Sequence, residues 1–425
     1  MMRPVSEFRD SDVVWAPRLP REWRETRLQR VCKIFAGGTP DRSNLEYWTN
    51  GEIPWLNSGS VNDGVITRPS ALITAEAARG GRTRWAPAGS VVIALAGQGK
   101  TKGMAARLEF ASTLNQSMAA IVPSGRVAYR YLHYWLSANY QLVRNLAGGE
   151  LRDGLNLQHV GSIQMPLPDE IEQRAIADFL DRETGEIDAF IRDQEELIGL
   201  LHERQRAAVA HEFEPILDVS GQSFRPTPLS VALRERDQRA LSEQLPMYSV
   251  SIHKGVVPWA EINDGEPSAD SFAHYKRIVK DDLVLNRMRA FQGSSGLAPG
   301  RGMVSPDYAV FLVKAAAYPP FLQLLMKSQP MVEAMKQRLR GIGAQDSGAI
   351  RTPRINARDL LRIRVDLPNR VEQEAITERV QRAARETESL LSDARSAVEL
   401  SRERRSALIS AAVTGKIDVR EHVGV

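Results

Sequence analysis

Residues 167–177 read LPDEIEQRAIA, and residues 367–377 read LPNRVEQEAIT. The offset is 200 residues, and the match runs on without a gap for about 45 residues. It pairs Glu172-Gln173 with Glu372-Gln373, Ala175-Ile176 with Ala375-Ile376, Glu186 with Glu386, Asp193 with Asp393, and Glu203-Arg204 with Glu403-Arg404. Upstream, Leu155-Asn156 matches Ile355-Asn356, and Ile163 matches Ile363. Each repeat follows a long region that shares little identity with its counterpart. The pattern describes a two-armed protein, able to read two things at a fixed separation.

Both repeats open like helices. Pro168 stands at a first turn, and Asp169, Glu170 and Glu172 suit the positive end of the helix dipole. Steps of four and three from Ile176 pass through Leu180, Glu183, Ile187, Phe190, Gln194, Leu197, Leu201, Arg204 and Ala208. The same steps from Ile376 pass through Val380, Ala383, Thr387, Leu390, Ala394, Ala397, Ser401, Arg404 and Leu408. This spacing predicts two long coiled-coil-like helices, 167–213 and 367–412, with a seam carried by the apolar members of both lines. The smaller residues of the second seam allow close packing. About 45 helical residues span roughly 65 Å.

The 425 residues call for two or three domains. A hydrophobic content of 43% with 25% charged residues is that of a soluble globular chain. No run of 18 apolar residues suggests a membrane span, and the opening MMRPVSEFRDSD lacks the apolar core of a secretory signal. A single cysteine, Cys32, excludes an intrachain disulfide and a cysteine-cluster metal site, so the cytoplasm is the default compartment. The charge is unevenly placed. Residues 1–166 carry 20 Lys/Arg against 13 Asp/Glu, and residues 214–366 carry 21 against 16. Residues 167–213 carry 5 against 13, whereas residues 367–411 balance at 8 and 8. A polyanion would meet the variable regions rather than the helices. The acidic first helix should keep such a polyanion off itself through Glu183, Glu186 and Asp188.

Around the helices we expect a loose tail over 1–18, a first mixed domain over 19–166, a linker over 214–228, a second domain over 229–366 and a closing segment over 413–425. Val91–Leu95 and Met118–Val122 read as strands, and Tyr129–Leu146 as one helix. The second domain echoes this layout. Asp282–Asn286 stands where Ser90–Ala94 stood, Ser305–Tyr308 echoes Asn115–Met118, and Phe321–Leu325 echoes Leu132–Leu136.

Few motifs suggest chemistry. ALAGQGKT (94–101) fits a relaxed phosphate-loop pattern ending in Lys100 and Thr101. It begins with Ala94 instead of glycine, and the corresponding NRMRAFQGSSG (286–296) has no Gly-Lys pair. YPPF (318–321) resembles an amino-methyltransferase motif, yet Tyr318 replaces the Asn or Asp that such chemistry needs, and a helix start explains the prolines. The seven histidines show no metal or triad spacing. Loop residues with donors and acceptors for base edges and phosphates remain. In the first half these are Asn57, Ser58, Gln98, Lys100, Lys102, Asn115, Gln116 and Arg152; in the second, His253, Lys254, Arg287, Arg289, Gln292, Ser294, Gln345 and Arg351.

The chain resembles the specificity subunit of a type I DNA restriction–modification enzyme over nearly its whole length. The resemblance rests on LPREWRETRLQRVCKIFAGGTP (19–40), GEIPWLNSGSVNDG (51–64), the helix starts at Leu167 and Leu367, and the close LISAAVTGKIDVR (408–420). It implies an α+β fold of two mixed α/β target-recognition domains separated by two long antiparallel coiled-coil-like helices, with a pseudo-twofold internal repeat. Each domain would grip one half of a split site on double-stranded DNA. Two modification (methyltransferase) subunits would supply S-adenosylmethionine and adenine methylation, and two restriction subunits would add ATP- and Mg-dependent translocation and cleavage. The chain itself would hold no cofactor and do no chemistry. Related methylation-only or type IIG-like complexes, a phosphate-loop hydrolase using Lys100, and a coiled-coil scaffold are the alternatives.

Overall fold

The computed structural model describes residues 7–97, 99–146, 154–217, 226–240, 245–263, 274–339 and 353–419. The α+β class expected from the sequence is what the structure shows: two mixed-sheet domains and two long helices, Glu170–Leu217 and Arg370–Val413, packed together. The chain divides into two compact units, Met1–Gln194 with Ser396–Val425, and Glu195–Arg395. Each long helix contributes one part to each unit.

In the first unit a five-stranded sheet runs in the order Cys32–Ala36, Met118–Pro123, Ser90–Ala94, Ala105–Leu108, Val65–Ile66. Its first four strands pair antiparallel. Every residue of Ser90–Ala94 is buried because both faces of the sheet are covered. Val91 and Ile93 meet Tyr131, Leu132 and Trp135 of the helix Tyr129–Ala138, while Val92 and Ala94 pack with Leu56, Ile66 and Leu114. A strand covered twice reads as a continuous apolar run. Beside this sheet stands a smaller one, ordered Ala71–Ile73, Ile53–Leu56, Ser112–Leu114, Trp85–Ala86.

The helix expected over Tyr129–Leu146 is two helices, Tyr129–Ala138 and Tyr140–Asn145, broken at Asn139. The Asn139 amide donates to the Trp135 carbonyl at 2.8 Å, so the side chain competes with the helical backbone. Residues 7–18 also differ from the loose tail expected. Phe8–Asp10 pairs with Arg18–Pro20, Val13 and Ala16 are buried, and Trp15 stacks on Trp135 with centroids 6.1 Å apart. Three apolar side chains in a short polar stretch suffice to dock it.

The second unit repeats the strand order with other residues: Leu233–Glu235, Tyr308–Val313, Leu283–Asn286, Ser295–Leu297, all antiparallel. The helix Pro319–Lys327 covers one face through Phe321, Leu322, Leu325 and Met326, against Leu283, Leu285, Ala309 and Phe311. Val284 and Val310 turn to the other face and meet Val250, Ile278 and Val304. Two ribbons, Tyr248–Ser251 with Gly255–Pro258 and Lys276–Ile278 with Gly302–Val304, stand where the first unit has its smaller sheet.

The repeated LPxxxEQ motif acquires a physical meaning here. Asp169 accepts the Glu172 N–H at 2.8 Å, and Asn369 accepts the Glu372 N–H at 3.0 Å, so both cap their helices. Gln173 and Gln373 are fully buried. The Gln173 amide donates to the carbonyls of Arg126 (3.0 Å) and Pro168 (2.9 Å) and accepts the Ala128 N–H at 2.8 Å. Gln373 donates to Ala316 (3.0 Å) and Pro368 (2.8 Å) and accepts the Tyr318 N–H at 2.7 Å. In each unit one carboxamide ties the start of the long helix to the start of the sheet-covering helix.

The long helices run antiparallel within each unit. Ile176 and Leu180 cluster with Ile409 and Val413, whereas Ile187 and Ile191 cluster with Val398. Arg405 grips Asp188 at 2.8 Å in the first unit, and Arg379 grips Glu212 at 2.8 Å in the second. Asp188 therefore joins the helices as well as adding negative charge. The seam differs from the expected one. Ile176, Leu180, Ile187, Leu201, Ile376 and Val380 are buried and Leu408 is half-buried, but Phe190, Leu197 and Leu390 are 45%, 41% and 48% exposed. The line through Glu183 and Phe190 falls one residue later, at Ala177, Thr184 and Ile191, and the line through Leu390 and Ala397 at Thr377, Leu391 and Val398. Threonine is admitted because its hydroxyl returns to its own helix: Thr184 bonds the Leu180 carbonyl at 2.6 Å and Thr377 the Gln373 carbonyl at 2.7 Å.

A charged cluster joins domain and helix in the first unit. Asp181 receives Arg107, Arg130 and Tyr134, each at 2.7 Å. Burial alone would raise the Asp181 carboxyl, but bonds from Tyr134, Arg130 and Arg107 hold it below its ordinary value. A group with a depressed folded pKa stabilises above its unfolded pKa, and that stabilisation is lost as pH falls through the folded value. Acidification below pH about 4 should therefore loosen this unit, and Asp181→Asn should lower neutral stability while flattening the acid slope; an unchanged slope in acid-unfolding curves would refute this. Replacing Gln373 by Leu leaves three backbone groups without the amide. We expect a loss of about 2–4 kcal/mol in urea unfolding of the full chain, and an unchanged midpoint would show that the amide is dispensable.

Candidate nucleic-acid interface

In the first unit four strand ends converge. The register sets Ala119 beside Ala36 and Met118 beside Ala94, with Ala105 opposite Ile93. The loops leaving this end are stitched by backbone bonds: Gly37 N–H to Met118, Gly38 to Leu114, Leu95 to Ser117, and Leu155 to Leu95. A Cβ at Gly37 would strike the Leu114 carbonyl, and one at Gly38 the Gly81 carbonyl, so the GGTP stretch requires its glycines.

The candidate residues divide by burial. Lys100 and Gln116 are exposed at this end, where the Thr39 hydroxyl accepts the Gln116 N–H at 3.3 Å. Asn115 and Lys102 are buried, and both are joined to the framework through backbone groups. Asn115 N–H donates to the Leu56 carbonyl at 2.9 Å, which brings Asn57 and the half-buried Ser58 alongside. Asn57 itself caps the 3-10 helix Ser58–Asp63 by accepting the Gly59 N–H at 2.8 Å. Gln98 and Arg152 lie outside the described residues. Two supports escaped the sequence reading: Tyr140 donates to the Lys100 carbonyl, and Arg144 to the Lys102 carbonyl at 3.3 Å. Their i,i+4 spacing on a helix beside a glycine-rich loop was the available signal.

The phosphate-loop alternative fails on topology. Such a loop leads from a strand into a helix whose N-terminus holds the phosphates. Here the stretch after Ala94 returns as the antiparallel strand Ala105–Leu108. Tyr318–Phe321 opens the helix Pro319–Lys327, and Arg370 lies 4.6 Å over the Tyr318 ring. Burial pushes the His133 imidazole down to about 4, leaving it neutral. Among the described residues no group of three or more His, Cys, Asp or Glu could hold a metal ion, and no helix is long and apolar enough to cross a membrane.

The second unit presents the same end of its sheet, where Asn286 pairs with Tyr308. Arg287 donates to the Ile355 carbonyl at 3.2 Å and to the Asn356 side chain at 2.8 Å, while its carbonyl accepts the Ile355 N–H at 3.1 Å. Ser294 is buried and donates to the Val250 carbonyl at 3.3 Å. Arg289 and Gln292 are exposed around the turn Ala290–Gln292, closed by left-handed Gly293. His253 and Lys254 are exposed at a hairpin tip, with Lys254 3.5 Å from Glu261. Gln345 and Arg351 lie outside the described residues.

Both ends thus pair a bonded framework with a fringe of exposed polar side chains. Arg287→Ala should lower the unfolding midpoint by removing two bonds. Arg289→Ala and Gln116→Ala should stay within about 0.5 kcal/mol of the wild type. Equal thermal stability for all three would contradict this division.

Residues 20–196 match the family model for the Type I restriction modification DNA specificity domain. Over 165 residues the chain is 27% identical to the type I restriction enzyme EcoR124I/EcoR124II specificity subunit of Escherichia coli, covering 38% of this chain and 40% of that one. Over 180 residues it is 24% identical to the MjaIX specificity subunit of Methanocaldococcus jannaschii, covering 41% and 40%. The chain thus spans two fifths of the length of these curated relatives. Among solved structures, a chain from work on complex assembly and conformational transition of the type I R-M system shares the fold with a TM-score of 0.71 at 15% identity, covering 94% of this chain and 99% of that one. The HsdS subunit of Thermoanaerobacter tengcongensis gives 0.56 at 15% identity, covering 94% and 98%. Residues 20–196 thus match a type I restriction–modification specificity domain in sequence, and the chain shares the fold of these solved structures along its length.

Proposed function

We propose that this chain selects the DNA site at which partner subunits act, reading a bipartite target with one half assigned to each mixed-sheet domain. The observation that carries the reading is the repeated strand order with unlike side chains at the same sheet end. Lys100 and Gln116 stand at that end in one domain, Arg289 and Gln292 in the other. Different donors and acceptors on one framework read different bases. Lys and Arg there meet phosphate, and phosphate contacts hold the register in which bases are read.

In this reading the chain performs no bond chemistry. Methyltransferase subunits supply S-adenosylmethionine and modify adenine, and restriction subunits supply ATP- and Mg-dependent cleavage. Exposed apolar residues on the long helices, Ile171, Phe190, Leu197 and Leu200 on one and Val371, Leu390 and Leu400 on the other, offer those partners a surface. The test is co-expression with the cognate modification subunit in a host lacking adenine methylation, followed by single-molecule sequencing for N6-methyladenine. One bipartite motif with a fixed gap is expected. Exchanging residues 19–166 for the equivalent domain of another specificity subunit should change one half of that motif and leave the other. An assembled complex that methylates nothing, or an exchange that alters both halves, would refute the assignment.

A further inference from the structure

The short helix Ala75–Gly80 ends in a way its sequence does not favour. The Thr83 N–H bonds the Ala78 carbonyl at 3.1 Å and the Arg82 N–H bonds the Arg79 carbonyl at 3.2 Å, the two closures of a Schellman motif. The residue that turns left-handed in that motif is usually glycine. Here glycines occupy 80 and 81, and the left-handed position falls on Arg82, with φ of 49°. An exposed arginine in a strained conformation, with two glycines beside it, points to a use for the side chain.

Beyond Arg82 the chain forms a ridge. Trp85–Ala86 is an edge strand, paired among the described residues with Ser112 and Thr113. Ala86 is buried in the core, whereas Trp85 is 52% exposed. Arg84 lies 6.0 Å over the Phe35 ring, and Lys33 lies 6.0 Å from the same ring. None of Lys33, Arg79, Arg82 and Arg84 forms an ion pair among the described residues. The ridge is firmly backed: Trp55 donates its indole N–H to the Gly38 carbonyl at 3.1 Å, and Gly38 lies directly against Gly81. That same GGT loop meets Gln116, so the ridge is continuous with the interface described above. Charges alone on an edge strand would guard against edge-to-edge pairing. That role needs neither a strained arginine nor an exposed tryptophan.

We propose that the ridge 80–86 enters a groove of duplex DNA. Arg82 and Arg84 meet phosphates, and Trp85 packs on the sugar and base edges. The inference rests on the DNA-recognition reading of this domain and adds the surface and residues of contact. Successive residues of an extended edge strand point to opposite sides, so with Ala86 turned into the core Trp85 faces outward, next to exposed Arg84.

The test measures binding of the full chain to a labelled duplex of randomised sequence, about 30 base pairs long, across a salt series. Arg82→Gly supplies the residue that the left-handed turn prefers, so it should fold at least as well as the wild type. It should nevertheless lower the slope of log affinity against log salt by about one, as should Arg84→Ala. Trp85→Ala should weaken binding about tenfold at every salt concentration without changing the slope, and Trp85→Phe should recover part of the loss. Wild-type binding with all four variants indistinguishable from it would overturn the ridge and leave DNA recognition standing. A wild-type chain that binds no duplex would remove the reading on which the inference rests. Early melting of Arg82→Gly would overturn the argument from strain.

Discussion

One buried carboxamide at the head of each long helix fixes how a mixed-sheet domain meets the helix pair. Gln173 and Gln373 each donate to two carbonyls and accept one N–H, from segments that close the sheet, begin the long helix and begin the covering helix. Glutamate could accept but not donate, and its charge would be expensive to bury. Glutamine alone among side chains of this length offers both functions without charge. The capping residue four positions earlier and the acidic residue just before it belong to the same device, since they set the first turn from which the amide reaches out.

Around this shared anchor the two units are finished differently. The first adds an ion cluster in which Asp181 takes Arg107, Arg130 and Tyr134. At the corresponding place the second long helix carries Gln381, and, counted from the helix N-caps Ala128 and Tyr318, one residue off the alignment expected from the sequence, the second covering helix carries Leu324 where the first has Tyr134. The second unit relies instead on apolar packing of Phe213, Ile216, Ile376 and Val380 against its covering helix. The first grip thus adds a carboxylate that joins domain to helix, whereas the second adds the ring contact of Phe213 with Phe321. The same framework can carry different loops because the strand order is fixed by buried runs, while the loops at the sheet end are held mainly by their own backbone bonds. Arg287 shows the boundary: a basic loop residue whose side chain is spent on holding Ile355 and Asn356.

Much of the architecture could be read from the chain because its signals are redundant. A 200-residue offset kept for about 45 positions leaves no ambiguity about two related helices, and continuous apolar runs such as Val91–Leu95 mark strands covered on both faces. The candidate interface was readable only as a set of loops. Sequence gives donor type and approximate loop position, but Lys102, Asn115 and Ser294 are buried, which depends on how neighbouring loops close over them. Arg82 and Trp85 give no signal in the sequence for the opposite reason. An arginine after two glycines looks like an ordinary turn until its own φ is known.

The helix seam shows where the division falls. The sequence determined that two long amphipathic helices exist, where they begin, and that they repeat. It could not choose between two adjacent heptad lines, since one offers large apolar residues at Phe190 and Leu197 and the other offers Ala177, Thr184 and Ile191. Hydrophobicity favours the first line. The tertiary structure takes the second, where Ile191 meets Val398 across the pair and a threonine hydroxyl can return to its own backbone. Local periodicity is a property of one chain segment, whereas the face that becomes buried depends on the shape of its partner, and only the folded pair supplies that.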